Sequence, residues 1–182
     1  FIVLLVGCFV DYGVGQEFIT KAKAALTARD TTAAIALYEQ AVKAGQKAGD
    51  AQYALGALAL ARHRIPDAVR HLEEAVRIDD ENVEALRLLG DTYVLNKNVP
   101  AALTQFRRVV KLAPKNGAVA SSYGKALLSA DSIDAAILQL TRAKEYTAED
   151  PSIYEALGDA FIKQNVVPMA VMNYQKAIEL EP

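Results

Sequence analysis

The chain has 182 residues, of which 52% are apolar and 23% charged, with a formal net charge of −2. A chain of that length can bury a core without metals or cross-links, and its single cysteine, Cys8, excludes an internal disulfide. Lys and Arg occur in short, separated clusters (Arg62 with Arg64, Arg107 with Arg108), which excludes the continuous basic stripe that nucleic acid asks for.

In chain order, the first segment is apolar: Phe1 to Val10 reads FIVLLVGCFV. Ten residues are too few to span a bilayer. Residues 1–14 therefore read as a leader apart from the rest, and the missing initiator Met suggests numbering that starts inside a longer product. Three readings compete. The segment is a truncated export signal with small residues ahead of a cleavage after Gly15. Alternatively, Leu5-Val6-Gly7-Cys8 is a lipobox, with Cys8 the candidate for lipidation and membrane attachment through that anchor alone. In the third reading it is a strap that packs on the array or on a second copy through Phe1, Leu4, Leu5 and Phe9. The first two place the protein outside the cytoplasm: periplasmic, at the outer membrane or extracellular.

From residue 15 onward a period of 34 takes over. Ala34, Ala68, Ala102, Ala136 and Ala170 keep that spacing without slippage, and so do the small residues Ala22, Gly56, Gly90, Gly124 and Gly158. Large residues follow the alanines at Tyr38, Leu72, Phe106, Leu140 and Tyr174, and slim ones at Ala41, Ala75, Val109, Ala143 and Ala177. A strict period of this length marks a stacked repeat protein. The units run 15–48, 49–82, 83–116, 117–150 and 151–182.

Within each unit apolar residues recur at three- and four-residue steps, as in Leu86, Leu89, Tyr93, so the pattern is helical. First helices are expected near 15–28, 49–62, 83–96, 117–130 and 151–164. Second helices are expected near 31–44, 66–78, 100–112, 133–146 and 168–180. Pro66, Pro100 and Pro168 fall in the first turn of second helices, and Pro151 opens a first helix, where a missing N–H costs nothing. Glycine inside a helix costs about 0.5–1 kcal/mol relative to alanine. Its recurrence at one register implies a neighbouring helix that crosses too closely for a side chain, with the second-helix alanines as the other half of the contact and the aromatic or leucine one turn later filling the gap beside it. One unit cannot bury its own apolar face, so units must stack.

These linked positions resemble the tetratricopeptide repeat over residues 15–182, the first unit being the most degenerate. The resemblance implies an all-α, right-handed α-solenoid of stacked antiparallel helix pairs, with first helices lining a concave face that takes protein or peptide. The family's groove positions fall here on Gln16, Ile19, Lys23; Asp50, Tyr53, Ala57; Glu84, Arg87, Asp91; Ala118, Ser121, Lys125; and Ser152, Glu155, Asp159, with Lys163 one turn on. Candidate contacts among these are Lys23, Tyr53, Arg87, Asp91, Lys125, Glu155, Asp159 and Lys163. The family subtype that clamps a C-terminal carboxylate with Lys and Asn is not matched, since those places hold Ile19 and Lys23, or Tyr53 and Ala57.

Chemistry-bearing clusters are sparse. His63, Asp67 and His71 step by four, but Pro66 breaks that step, leaving His63 in a turn and His71 on a solvated face. Glu73 and Glu74 are adjacent in sequence and so do not face each other on a helix. No catalytic set, metal site or cofactor is expected. The expected role is a non-catalytic scaffold for a protein or peptide partner, exported or associated with the cell envelope. The alternative is a self-assembling subunit of a filament, tube or ring, joined through the apolar start and through a last repeat whose Tyr174 and Ile178 border an open edge.

Overall fold

The computed structural model describes residues 13–45 and 47–181. The leader residues singled out above (Phe1, Leu4, Leu5, Cys8, Phe9) lie outside the described residues. Among the described residues ten α-helices form and no strand: α1 (Val14–Thr27), α2 (Thr31–Ala44), α3 (Ala48–Ala61), α4 (Ile65–Ile78), α5 (Val83–Leu95), α6 (Val99–Leu112), α7 (Gly117–Ser129), α8 (Ile133–Tyr146), α9 (Pro151–Lys163) and α10 (Val167–Leu180). Consecutive helices pack as pairs, α1 with α2 through α9 with α10. The chain divides into two compact units, Phe1–Asp79 and Asp80–Pro182. The first holds α1–α4 and the second α5–α10.

Local chemistry starts and stops the helices. Asp30, Asn82, Asn98 and Asn116 each accept the backbone N–H three residues on, at 2.9–3.3 Å, satisfying a donor that the first turn leaves over. The prolines stand one residue inside their second helices, because Ile65, Val99 and Val167 already belong to them. Inside every pair the turn closes in the same way. Arg29, His63, Lys97, Asp131 and Asn165 all take left-handed backbone, with φ between 56° and 62°. Two backbone bonds tie each turn back to its first helix, as in Lys97 N–H to Val94 O and Asn98 N–H to Tyr93 O at 2.9 and 2.8 Å. This is the Schellman closure, which glycine usually serves; here none of the five is glycine.

The 34-residue register is the core. Ala34, Ala68, Ala102, Ala136 and Ala170 are fully buried. The large residue one turn past each alanine fills the space at the glycine, as expected, and comes closer to it than the alanine does. A β-carbon on Gly90 would lie 2.7 Å from Cε1 of Phe106, on Gly56 2.6 Å from Cγ of Leu72, and on Gly124 2.6 Å from Cγ of Leu140. On Gly158 it would run into the Tyr174 ring. The knob in each hole is therefore the large residue one turn past the alanine. The alanine's part is to let the second-helix backbone approach, as at Gly56, where the Ala68 carbonyl would be 3.5 Å away.

In the first unit Ile19, Ala22, Tyr38, Ala41, Ala51 and Leu55 form a buried cluster that joins the α1–α2 pair to α3. In the second, Ala102, Phe106 and Ala126 join α6 to α7, and Ala120, Leu140, Ala143, Ile153, Ala156 and Leu157 join α7 and α8 to α9. The Phe106 and Tyr123 rings meet at 6.1 Å between centroids, within the range of favourable aromatic pairs.

Candidate functional site

In the second unit the first helices α5, α7 and α9 are successive neighbours, and side chains three and four residues apart on each share a face. A chain of polar contacts crosses that face. On α5, Arg87 donates from Nη1 to Asp91 Oδ2 at 2.9 Å and from Nε and Nη2 to Glu84 Oε2 at 3.3 and 3.2 Å. Asp91 is also hydrogen-bonded by Ser122 of α7. Burial pushes the Asp91 carboxyl above the usual carboxylate range, against the pull of Ser122, Arg87 and Lys125. Lys125 of α7 donates to Ser152 Oγ of α9 at 2.8 Å. That hydroxyl donates in turn to Asp150 Oδ1 at 2.6 Å.

Beside this chain a cleft of about 280 Å³ is lined by Asp91, Val94, Leu95, Ser122, Lys125, Ala126 and Ser129. Its lining is mostly apolar with a few polar groups, the usual make-up of a ligand cleft. Leu95 is 62% exposed. The structure thus brings together Arg87, Asp91 and Lys125 of the expected residues. Val94, Leu95, Ser122 and Ser129 escaped the sequence reading. Their signal was the period itself: Leu95, Ser129 and Lys163 share one register at the C-terminal end of first helices.

The other expected residues are placed as follows. Asp159 accepts the Tyr174 hydroxyl at 2.7 Å, a bond that raises the Tyr174 phenol above its ordinary value. Tyr174 is thereby engaged with α9 of its own pair. Lys163 reaches back to Asp131 Oδ1 at 2.9 Å, and Glu155 is exposed on α9. Ile178 on α10 is 72% exposed. In the first unit Lys23 is exposed on α1 and Tyr53 half-buried on α3. Ile19 and Ser121, counted among groove positions, are buried at 4% and 5% exposure, whereas Tyr53, Arg87 and Glu155 at the same register are half-buried or exposed.

His71 departs from the solvated face expected for it. Its Nδ1 lies 2.7 Å from Gln52 Oε1 of α3, and its Nε2 3.0 Å from a terminal nitrogen of Arg70. A guanidinium can only donate, so Nε2 accepts and Nδ1 carries the proton toward Gln52. His63 sits in the turn, as expected. None of the described helices is long and apolar enough to cross a membrane.

Paired helices at a 34-residue repeat define a stacked helix-pair repeat protein. The tetratricopeptide repeat pattern matches residues 19–79 and 53–117, together more than half of the chain, and the chain belongs to that family. Solved structures share the fold. A MamA protein superposes with a TM-score of 0.83 at 21% identity over 93% of this chain and 92% of its own. MamA residues 41 to the end from Desulfovibrio magneticus RS-1 give 0.84 at 16% identity, over 92% and 94%. YrrB, described as a TPR protein with an unusual peptide-binding site, gives 0.80 at 22% identity, over 91% and 85%. No curated protein matches the chain significantly in sequence.

Proposed function

We propose that the chain is a non-catalytic scaffold that holds a peptide or protein segment on its first-helix face, with export to the cell envelope or beyond as its setting. The observation that carries the first part is the α5–α7 cleft, whose apolar walls (Val94, Leu95, Ala126) adjoin the charged groups Asp91 and Lys125. Family membership and the peptide-binding site named for YrrB support it. Export rests on the apolar Phe1–Val10 stretch and the Leu5–Cys8 lipobox pattern. The cleft offers one apolar pocket and a lysine whose bonded partner is a neutral hydroxyl. It therefore suits an extended segment that presents an apolar side chain next to an acidic one.

Selection from a displayed peptide library tests this, followed by Leu95→Asp and Lys125→Glu in the full chain. The reading requires enriched peptides to lose binding at least about tenfold in each variant, about 1.4 kcal/mol. Peptides that bind both variants as tightly as the parent refute it.

Self-assembly is the second reading. It is favoured by the exposed apolar side chains of α10, Val171 at 46%, Met172 at 61% and Ile178 at 72%, since contiguous apolar surface marks interaction sites. Light scattering decides it: particles that fall to monomer mass on Ile178→Lys support assembly, and a monomeric parent opposes it.

A further inference from the structure

The first unit contains a cavity that the first-helix face does not involve. It has a volume of about 110 Å³ and lies among α2, α3, α4 and the α3–α4 turn, with room for several water-sized groups. Its floor is Ile35, Leu55 and Ala59, and its rim is Arg62, Arg64, Arg70 and His71 with Glu39 and Asp67. Asp67 is shared between Arg64, at 2.6 Å, and Arg70, at 3.8 Å. Arg62 takes part in none of the ion pairs formed among the described residues. Three guanidiniums thus face two carboxylates around the cavity, so its lining carries one surplus positive charge with His71 neutral.

From this geometry we infer that the cavity is an anion site for a tetrahedral dianion of the phosphate class, free or carried on a protein side chain. A tetrahedral dianion carries twice the charge of a carboxylate and presents more acceptor oxygens, directed out of one plane, so it can accept from guanidiniums on different sides at once. Arg62 and Arg70 border the same space from the turn and from α4. The apolar floor suits the carbon stem of a modified side chain.

His71 supplies a readout. Its acceptor nitrogen faces Arg70, and burial, with Arg70 next, holds the imidazole below its ordinary value. The charged groups facing it are Asp67 and Arg70 on its own helix, Arg64 in the turn before it and Glu39 on α2. A dianion in the cavity cancels the guanidinium field and favours the imidazolium. Binding and protonation are therefore linked, and each strengthens the other.

The test is an NMR titration of the two imidazoles of the chain, with His63→Gln assigning them. The parent is titrated in sodium sulfate, whose charge is constant over the range, and in sodium chloride at equal ionic strength. The inference requires the His71 midpoint to move to higher pH in sulfate. Calorimetry at neutral pH should show inorganic phosphate or a phosphoserine peptide binding about tenfold more weakly to Arg62→Gln, with the unphosphorylated peptide inert. Lys97→Gln, in the other unit, should bind as the parent does. Tighter binding of the phosphopeptide than of phosphate identifies a side-chain source, and equal binding a free ion. A His71 midpoint identical in the two salts, or equal losses in Arg62→Gln and Lys97→Gln, overturns the inference.

Discussion

Gly90→Ala is the sharpest test of the packing. Alanine in mid-helix is favoured over glycine by about 0.5–1 kcal/mol, so propensity alone makes the variant more stable. The structure reverses the sign. The new β-carbon would meet Phe106 at 2.7, 2.9 and 3.1 Å from Cε1, Cζ and Cδ1. Phe106 is fully buried among Ala102, Ala126, Leu103 and Tyr123, so the ring has nowhere to retreat. Overpacking of that kind costs about 1–3 kcal/mol, for a net loss of up to about 2.5 kcal/mol after the propensity gain. Gly49→Ala, in the first turn of α3, is the control in which the neighbour can yield. Its β-carbon would meet Cγ2 of Ile78 at 3.3 Å, and Ile78 is 44% exposed and free to shift. That variant should match or exceed the parent by up to about 0.5–1 kcal/mol. Thermal melts followed by circular dichroism should separate the two variants by several degrees, at roughly 2–4 °C per kcal/mol for a chain of this size. A Gly90→Ala protein that melts at or above the Gly49→Ala protein refutes the argument that Phe106 occupies the glycine register.

Lys97→Gly should stabilise by up to about 1 kcal/mol in urea unfolding, because a non-glycine residue in left-handed backbone is strained by about 1–2 kcal/mol and glycine's unfolded-state entropy returns part of that; a loss of stability would contradict it. His71 is held below its ordinary value near 6.5, so the unfolded chain takes up a proton there first. In chloride buffer, stability should be full above that pH and decline as pH falls toward the folded-state value, with the decline flattened in His71→Gln. Asp91 has the opposite sign. Its raised folded value means that ionisation opposes folding, so Asp91→Asn should lose less stability than the parent as pH rises from about 4 to 7, as followed by melts across that range.

The repeat, the helix pairs and the buried register were legible because they are written in residue size: alanine, glycine and one large apolar residue recur where backbones cross. The turns were not. Arg29, His63, Lys97, Asp131 and Asn165 share one backbone conformation and are all polar, but none is the glycine that marks left-handed backbone in a sequence. On the first-helix face, spacing identified Arg87, Asp91 and Lys125 as sharing a surface. It could not show that Lys125 reaches Ser152 or that Ser122 supports Asp91, since those contacts cross between repeats. Ile19 went inward through its packing with residues of α2 and α3, which spacing along one helix does not show. The cavity near His71 was hidden because Pro66 breaks the four-residue step on α4, while the partner that seats the imidazole, Gln52, lies on α3.

The most direct test of the scaffold reading is chemical-shift mapping of the full chain with a peptide recovered by selection. Shifts concentrated on Val94, Leu95, Ser122, Lys125 and Ser129, and abolished by Leu95→Asp, are the result that the α5–α7 cleft predicts. Saturable binding that leaves those five amides unmoved would contradict it.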